Sequence, residues 1–310
     1  ATHIKTDFTD HRDISFVGRP FPLKEADEHY KRLKNWGFNC LRFLVTWEAI
    51  EHKGPKQYDK EYLDYLEEVL RIAGEYGFYI FIDPHQDVWS RMTGGDGAPG
   101  WVFKKVGLDF TKFESSEATF VMQHKYDPSD LTKYLPMHWM GNTYRFANGT
   151  MWTLFFGGKD FAPSCKVDGI SAQDYLQSHF IDAIKQLALK IKDNPHILGF
   201  DILNEPPEGW IGKFVDGSEW EGKSDVIGHV FTPIDAILTG AGFNRTIGYQ
   251  EVKRFGIKET RKDELNPEKK SCWLKGFEDI WKKEGVWGLD GVGNPKILEN
   301  EYFIYKNGEK

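Results

Sequence analysis

From Leu23 the apolar positions fall into a helical rhythm. Ala26, Tyr30, Leu33 and Trp36 recur at spacings of four, three and three, and Gly37 stops the run. Residues 39–45 are short, apolar and bounded, which reads as a strand buried on both faces, interrupted by Arg42. Leu63, Leu66, Leu70 and Ala73 place a second helix over residues 60–76, with Gly77 as its cap. A second strand over 78–83 ends at Pro84-His85-Gln86-Asp87. Ser171, with Asp174 three residues on, signals the start of a third helix. Its stripe of Tyr175, Phe180, Ile184, Leu187 and Ile191 ends before Pro195. The third strand, 197–203, carries Asn204-Glu205-Pro206 at its end. Strands alternating with helices in this way predict a parallel sheet.

Two stretches break the alternation. Residues 84–170 are too long for an ordinary strand-to-helix loop. They hold Trp89, Trp101, Trp139, Trp152, Phe155 and Phe156 among many Gly and Pro, and read as an insertion whose aromatic rings lie outside the core. After Pro207, residues 226–238 and 274–283 suit short helices and 297–305 an extended segment. Three strands are legible where a (β/α)₈ barrel needs eight. The expectation is therefore a partial barrel: residues 1–310 form part of one barrel domain, with large loop insertions and the remaining strands outside the chain. The alternative is a small open sheet with large inserts.

Composition narrows the class. Hydrophobic residues make up 40% and charged residues 28%, as in a folded globular chain. A net charge of −7 speaks against a nucleic-acid partner held by bulk electrostatics. Three cysteines cannot build a disulfide framework or a zinc ribbon. No apolar run reaches the roughly 18 residues of a spanning helix. The first 22 residues have no basic stretch leading into an apolar one, so no signal peptide is read there. Acidic charge and few cysteines favour the cytoplasm. Aromatic residues reach 15%, with 11 Trp and 23 Phe, which suits a binding surface for a sugar or a lipid.

Parallel sheets keep their sites at the C-terminal ends of their strands. Here those ends offer Arg42, His85, Asp87, Asn204 and Glu205. An acid after a strand also suits a helix N-terminus, but convergence of five such residues favours chemistry. Glycoside hydrolysis wants this set: one carboxylic acid to protonate the departing oxygen and a second carboxylate across the bond. Asn204 can hold a sugar hydroxyl while Glu205 delivers the proton. Arg42 can orient a carboxylate and favour its charged form.

Ile202-Leu203-Asn204-Glu205-Pro206 resembles the strand-four motif of glycoside hydrolase family 5, and Leu41-Arg42-Phe43 fits as well. The run 83–91 (DPHQDVWSR), with Gly94-Gly95-Asp96-Gly97-Ala98-Pro99, 37–48 and 152–158, is similar to the endoglycoceramidase-related branch, which includes fungal glucosylceramidases and steryl-glucosidases. The resemblance runs from about Val17 to about Tyr302. It implies a (β/α)₈ barrel, a retaining mechanism, and neither metal nor cofactor. It implies Glu205 as general acid/base, Asn204 on the sugar 2-hydroxyl, Arg42 beside the nucleophile, and His85 and Asp87 lining the terminal-sugar subsite. The family's nucleophile, a glutamate ending strand seven, has no match here; the surroundings of Glu301 do not fit it. The expected substrate is a β-glucoside with a hydrophobic aglycone, glucosylceramide or steryl glucoside, with a membrane surface as a further contact. Trp139 and Trp152, in the insertion, are expected to set aglycone choice. The alternatives are an endo-β-glucanase or mannanase-like hydrolase and a non-catalytic glycan- or glycolipid-binding protein.

Other signals read as framework. Gly95-Asp96-Gly97-Ala98-Pro99-Gly100 fits a dinucleotide fingerprint but lies in a loop containing Pro99. Asn148 and Asn244 head glycosylation sequons. Cys40 reads as a small buried residue, Glu51, Glu67 and Glu68 as solvated faces, and His138, His196 and His229 lack metal-ligand spacing.

Overall fold

The computed structural model describes residues 10–121, 139–220 and 225–305, with Trp139 described for its backbone alone. Its first helix, α1 (Ala26–Asn35), leads into β1 (Cys40–Thr46), the short α2 (Trp47–Glu51), α3 (Lys60–Glu75) and β2 (Tyr79–His85). The long segment that follows carries α4 (Trp101–Lys105) and α5 (Phe146–Phe161). A small ribbon of β3 (Lys166–Val167) and β4 (Ile170–Ser171) precedes α6 (Ala172–Ile191) and β5 (Ile197–Phe200). The remainder holds β6 (Gly228–His229), α7 (Pro233–Gly240), β7 (Arg245–Lys253), β8 (Gly256–Leu265), α8 (Ile280–Lys283), β9 (Trp287–Leu289) and β10 (Pro295–Ile297). Among the described residues no helix is long and apolar enough to cross a membrane.

The three expected strands pair in parallel in the order β1-β2-β5. Local chemistry sets their helices. The Asp59 carboxylate accepts the Tyr62 N–H at 3.0 Å to start α3, and Ser171 Oγ accepts the Asp174 N–H at 3.1 Å to start α6. These helices cover one face of the sheet, where Phe43, Val45, Ile80 and Ile82 are buried with Leu66, Val69 and Leu70.

The opposite face differs from the expectation of strands buried on both sides. Leu44, Tyr79 and Leu198 stand exposed there; Ile202, just past β5, is 87% exposed. Cys40, read as a buried residue, is exposed on β1 as well. Side chains alternate across a strand, so Arg42 shares this uncovered face with Cys40 and Leu44. The guanidinium therefore sits in an apolar strand without being driven into the helix layer.

The insertion is not loop throughout, and its rings are mostly core. α5 runs sixteen residues and is buried on nearly every side. A helix apolar all round shows no stripe, and its glycines disguise it further. A Cβ at Gly149 would meet the Trp210 ring at 2.2 Å, so that close crossing requires glycine. Trp89, Trp101, Trp152 and Phe155 are 1–5% exposed, and Trp89 meets Trp152 edge-on at 4.8 Å. Their aromaticity fills the space between β2, α5 and α6 rather than facing solvent.

The C-terminal third carries the other departures. α8 falls within the expected helix over 274–283, whereas α7 covers only the second half of the expected 226–238 and runs on to Gly240, with β6 occupying residues 228–229. Residues 300–304 turn instead of extending. The β7–β8 hairpin has no sequence signal because β8 is mostly charged and exposed and neither strand keeps a run of apolar alternation.

Candidate active site

The parallel register sets Leu44 beside Asp83 and Thr46 beside His85 at the C-terminal rim of the sheet. Asp83 is fully buried, and its Oδ2 lies 2.8 Å from Arg42 Nη2 and 2.9 Å from His85 Nδ1. Arg42 Nη2 also donates to Asn204 Oδ1 at 2.6 Å. His85 Nε2 lies 3.4 Å from Asp87 Oδ2. One buried carboxylate thus holds a guanidinium and an imidazole in fixed orientation. With the Asp83 carboxylate accepting at Nδ1, that nitrogen carries the proton and Nε2 faces Asp87. Asp83 Oδ1 has no hydrogen-bond partner among the described residues.

The strand-end turn is held as firmly. The Asn204 N–H donates to the Pro84 carbonyl at 3.1 Å, and Asn204 Nδ2 donates to the Gln86 carbonyl at 3.0 Å. Gln86 Nε2 donates in return to the Asn204 and Glu205 carbonyls at 2.7 and 3.0 Å. These bonds settle which way the Asn204 amide points. They also pin the main chain of Glu205, which sits at φ +38°, a sparsely populated conformation for a residue with a side chain. Its side chain is exposed at the rim.

The loop after β2 folds back on itself. Asp87 and Asp96 exchange backbone hydrogen bonds at 3.2 and 3.1 Å. A Cβ at Gly97 would lie 2.6 Å from the Trp89 carbonyl oxygen, so this glycine serves close packing rather than a dinucleotide. Arg91 braces the loop through a buried ion pair with Glu48 at 2.9 Å. His85, Asp87 and Asp96 each turn one polar atom inward, all within 4.8 Å of one another. Such a ring can take a sugar hydroxyl or a cation. Burial, with the charge of Asp87 adding to it and His85 opposing, pushes the Asp96 carboxyl up to about 6.

The sequence matches the cellulase (glycosyl hydrolase family 5) family over residues 6–253. The chain belongs to glycosyl hydrolase family 5. It is 40% identical to a glucosylceramidase of Rhizopus delemar, covering 100% of this chain and 45% of that protein. It is 35% identical to an ergosteryl-beta-glucosidase of Saccharomyces cerevisiae, covering 96% of this chain and 44% of that one. The crystal structure of sterylglucosidase 1 from Cryptococcus neoformans superposes with a TM-score of 0.85 at 35% identity, covering 93% of this chain and 44% of that one. The chain spans less than half the length of these relatives. Family membership and the sterylglucosidase match imply the (β/α)₈ barrel, and the sheet of β1, β2 and β5 is parallel.

Within this family-5 chain, Arg42, His85, Asp87 and Asn204 come together as the sequence reading expected, with Glu205 directly after Asn204. Trp139 falls outside the described side chains, as does His138. Three participants were not singled out: Asp83, Gln86 and Asp96. The clue to Asp83 was a carboxylate closing an apolar strand, one residue before the Pro84-His85 turn. Glu51, read as solvated, is fully buried, accepting from Trp47 Nε1 at 2.6 Å and lying 2.9 Å from His179 Nδ1. Asn148 is 1% exposed within α5, so its sequon is shut off in the folded chain.

Two expected results follow from this packing. Trp152→Ala should cost about 3–5 kcal/mol of stability, because its ring is 1% exposed. Thermal unfolding checks this; an unchanged midpoint would take Trp152 out of the core. The second concerns pH. The folded chain holds the Asp96 proton up to about 6, whereas the ordinary value is 3.8. Stability should therefore fall as pH rises through that window, because the unfolded chain releases the proton first. Asp96→Asn removes this dependence, so its unfolding midpoint should gain on the wild type between about pH 4 and about pH 7. A constant difference would assign no such role to Asp96.

Proposed function

We propose that the protein containing this chain is a retaining β-glucosidase acting on glucose joined to a lipid, a glucosylceramide or a steryl glucoside. The observation that carries the reading is the Asp83-centred network, which orients Arg42, His85 and Asn204 beside Glu205 at one strand rim. Glu205 protonates the glycosidic oxygen as the aglycone leaves, then takes a proton from the water that releases the sugar. Asn204 Nδ2 has two N–H groups. One is spent on the Gln86 carbonyl, leaving the other for the sugar 2-hydroxyl. His85 and Asp87 accept or donate to hydroxyls of the terminal glucose. Arg42 faces the position of the attacking carboxylate and favours its charged form. The similarity to glucosylceramidases and an ergosteryl-beta-glucosidase supports a lipid aglycone.

We further propose that β1, β2 and β5 are three strands of a barrel completed by residues outside these 310, which also supply the nucleophile. The uncovered apolar face of the sheet supports this, since a closed barrel fills its interior with side chains. The test of function is to assay the full-length protein on glucosylceramide, steryl glucoside, an aryl β-glucoside and a soluble cellulose. Turnover of lipid and aryl glucosides is expected; turnover of the polysaccharide alone would replace this reading with an endo-glucanase. Residues 1–310 expressed alone should show no hydrolysis, because a retaining enzyme needs two carboxylates about 5 Å apart. Clear turnover abolished by Glu205→Gln would place the second carboxylate inside this chain, with Glu301 the first to replace.

A further inference from the structure

The β7–β8 hairpin begins in the body of the protein and ends outside it. Ile247 and Leu265 at its base are 2% and 6% exposed, whereas Val252 and Phe255 at its tip are 65% and 80% exposed. β6 pairs with β7 at Tyr249 and Gln250. Beyond that point β7 pairs with β8 alone, and a two-stranded ribbon has little independent stability in water. Lys253 pairs with Gly256 to close a two-residue turn of Arg254 and Phe255, with Gly256 at φ +104°. Val252 and Ile257 stand directly opposite each other, so with Phe255 they form an apolar tip.

Charge surrounds that tip. In a chain of net charge −7, residues 252–262 carry five cations, Lys253, Arg254, Lys258, Arg261 and Lys262, against one acid, Glu259. Glu251 pairs with Lys253, and Arg261 pairs with Asp263 and lies over the Tyr249 ring. Arg254 lies 5.4 Å from the centre of the Phe255 ring. No ion pair joins Arg254, Lys258 or Lys262 to a carboxylate among the described residues. An exposed aromatic and two aliphatic side chains ringed by cations are complementary to a bilayer with anionic headgroups.

We propose that the β7–β8 tip docks the protein on an anionic membrane, with Val252, Phe255 and Ile257 entering the headgroup zone and Arg254 and Lys258 meeting lipid phosphates. This rests on the reading of the substrate as a lipid glucoside, which would then be taken from the surface that the tip holds.

The experiment is co-sedimentation of the full-length protein with phosphatidylcholine vesicles, with and without phosphatidylserine, at low and high salt. Hydrolysis of a soluble aryl β-glucoside is followed in parallel. Wild type should sediment with the anionic vesicles and be released by salt. Arg254→Gln with Lys258→Gln should weaken binding roughly fivefold per cation, and Val252→Ser with Phe255→Ser should also release the protein. Aryl glucoside turnover should stay at the wild-type level in both variants, since the tip is exposed and outside the site network. Vesicle binding unchanged in the variants, or no salt-sensitive binding by wild type, would overturn the proposal. Loss of aryl glucoside turnover in wild type would instead count against the glucosidase reading, so the two failures are separable.

Discussion

Glu205→Ala should slow hydrolysis of glucosides with poor leaving groups by about 10²–10⁴-fold, the usual contribution of a general acid or base. Sterol and ceramide alcohols are such leaving groups: they must be protonated as the bond breaks. An activated aryl glucoside needs no proton, so its glycosylation step should be nearly spared. The variant would then stall at the glycosyl-enzyme, because no base activates water. Azide needs no base and should partly restore turnover, yielding a β-glucosyl azide. Steady-state kinetics on the two substrate classes, with and without azide, decides the matter. Equal loss on both classes with no azide product would remove Glu205 from this role.

Asp83→Ala should be nearly as damaging although Asp83 need not touch the sugar. Its Oδ2 serves both Arg42 and His85, so removal strips two cationic or proton-bearing groups of their shared acceptor. Breaking a buried pair costs about 3–5 kcal/mol. The Arg42 side chain is 45% exposed, which places the expected loss at the lower end of that range. His85 then loses the bond that fixes its tautomer and ring. Among the described residues Arg42 then keeps its hydrogen bond to Asn204. Misplacing such groups by about 1 Å costs roughly a hundredfold in rate. Thermal unfolding and kcat/KM on an aryl glucoside should therefore both fall, with Asp83→Asn closer to wild type in stability than in rate. An Asp83→Asn protein with full activity would mean that the network does not organise the site.

The contrast between Arg42 and Asp83 shows where the sequence stops. A guanidinium in an apolar strand is conspicuous because burying it alone is costly, so Arg42 stood out without a structure. Asp83 ends its strand as many acids do before a turn. Its weight comes from two partners, one on β1 and one two residues further along β2. Pairing of that kind depends on register across strands, which no single run of residues displays.

Local order was written in the chain: three helix–strand units, the Ser171 cap, Arg42 within its strand, and His85, Asp87, Asn204 and Glu205 at strand ends. Periodicity and capping act over a few residues, so they can be read over a few residues. Tertiary structure decided what is buried. It turned Trp89, Trp101 and Trp152 from a supposed surface into core, made α5 a helix without a stripe, and enclosed Glu51. It left Cys40 and Leu44 on an open sheet face. Burial belongs to the meeting of two elements, and the free energy of an aromatic ring or a carboxylate depends on what lies against it.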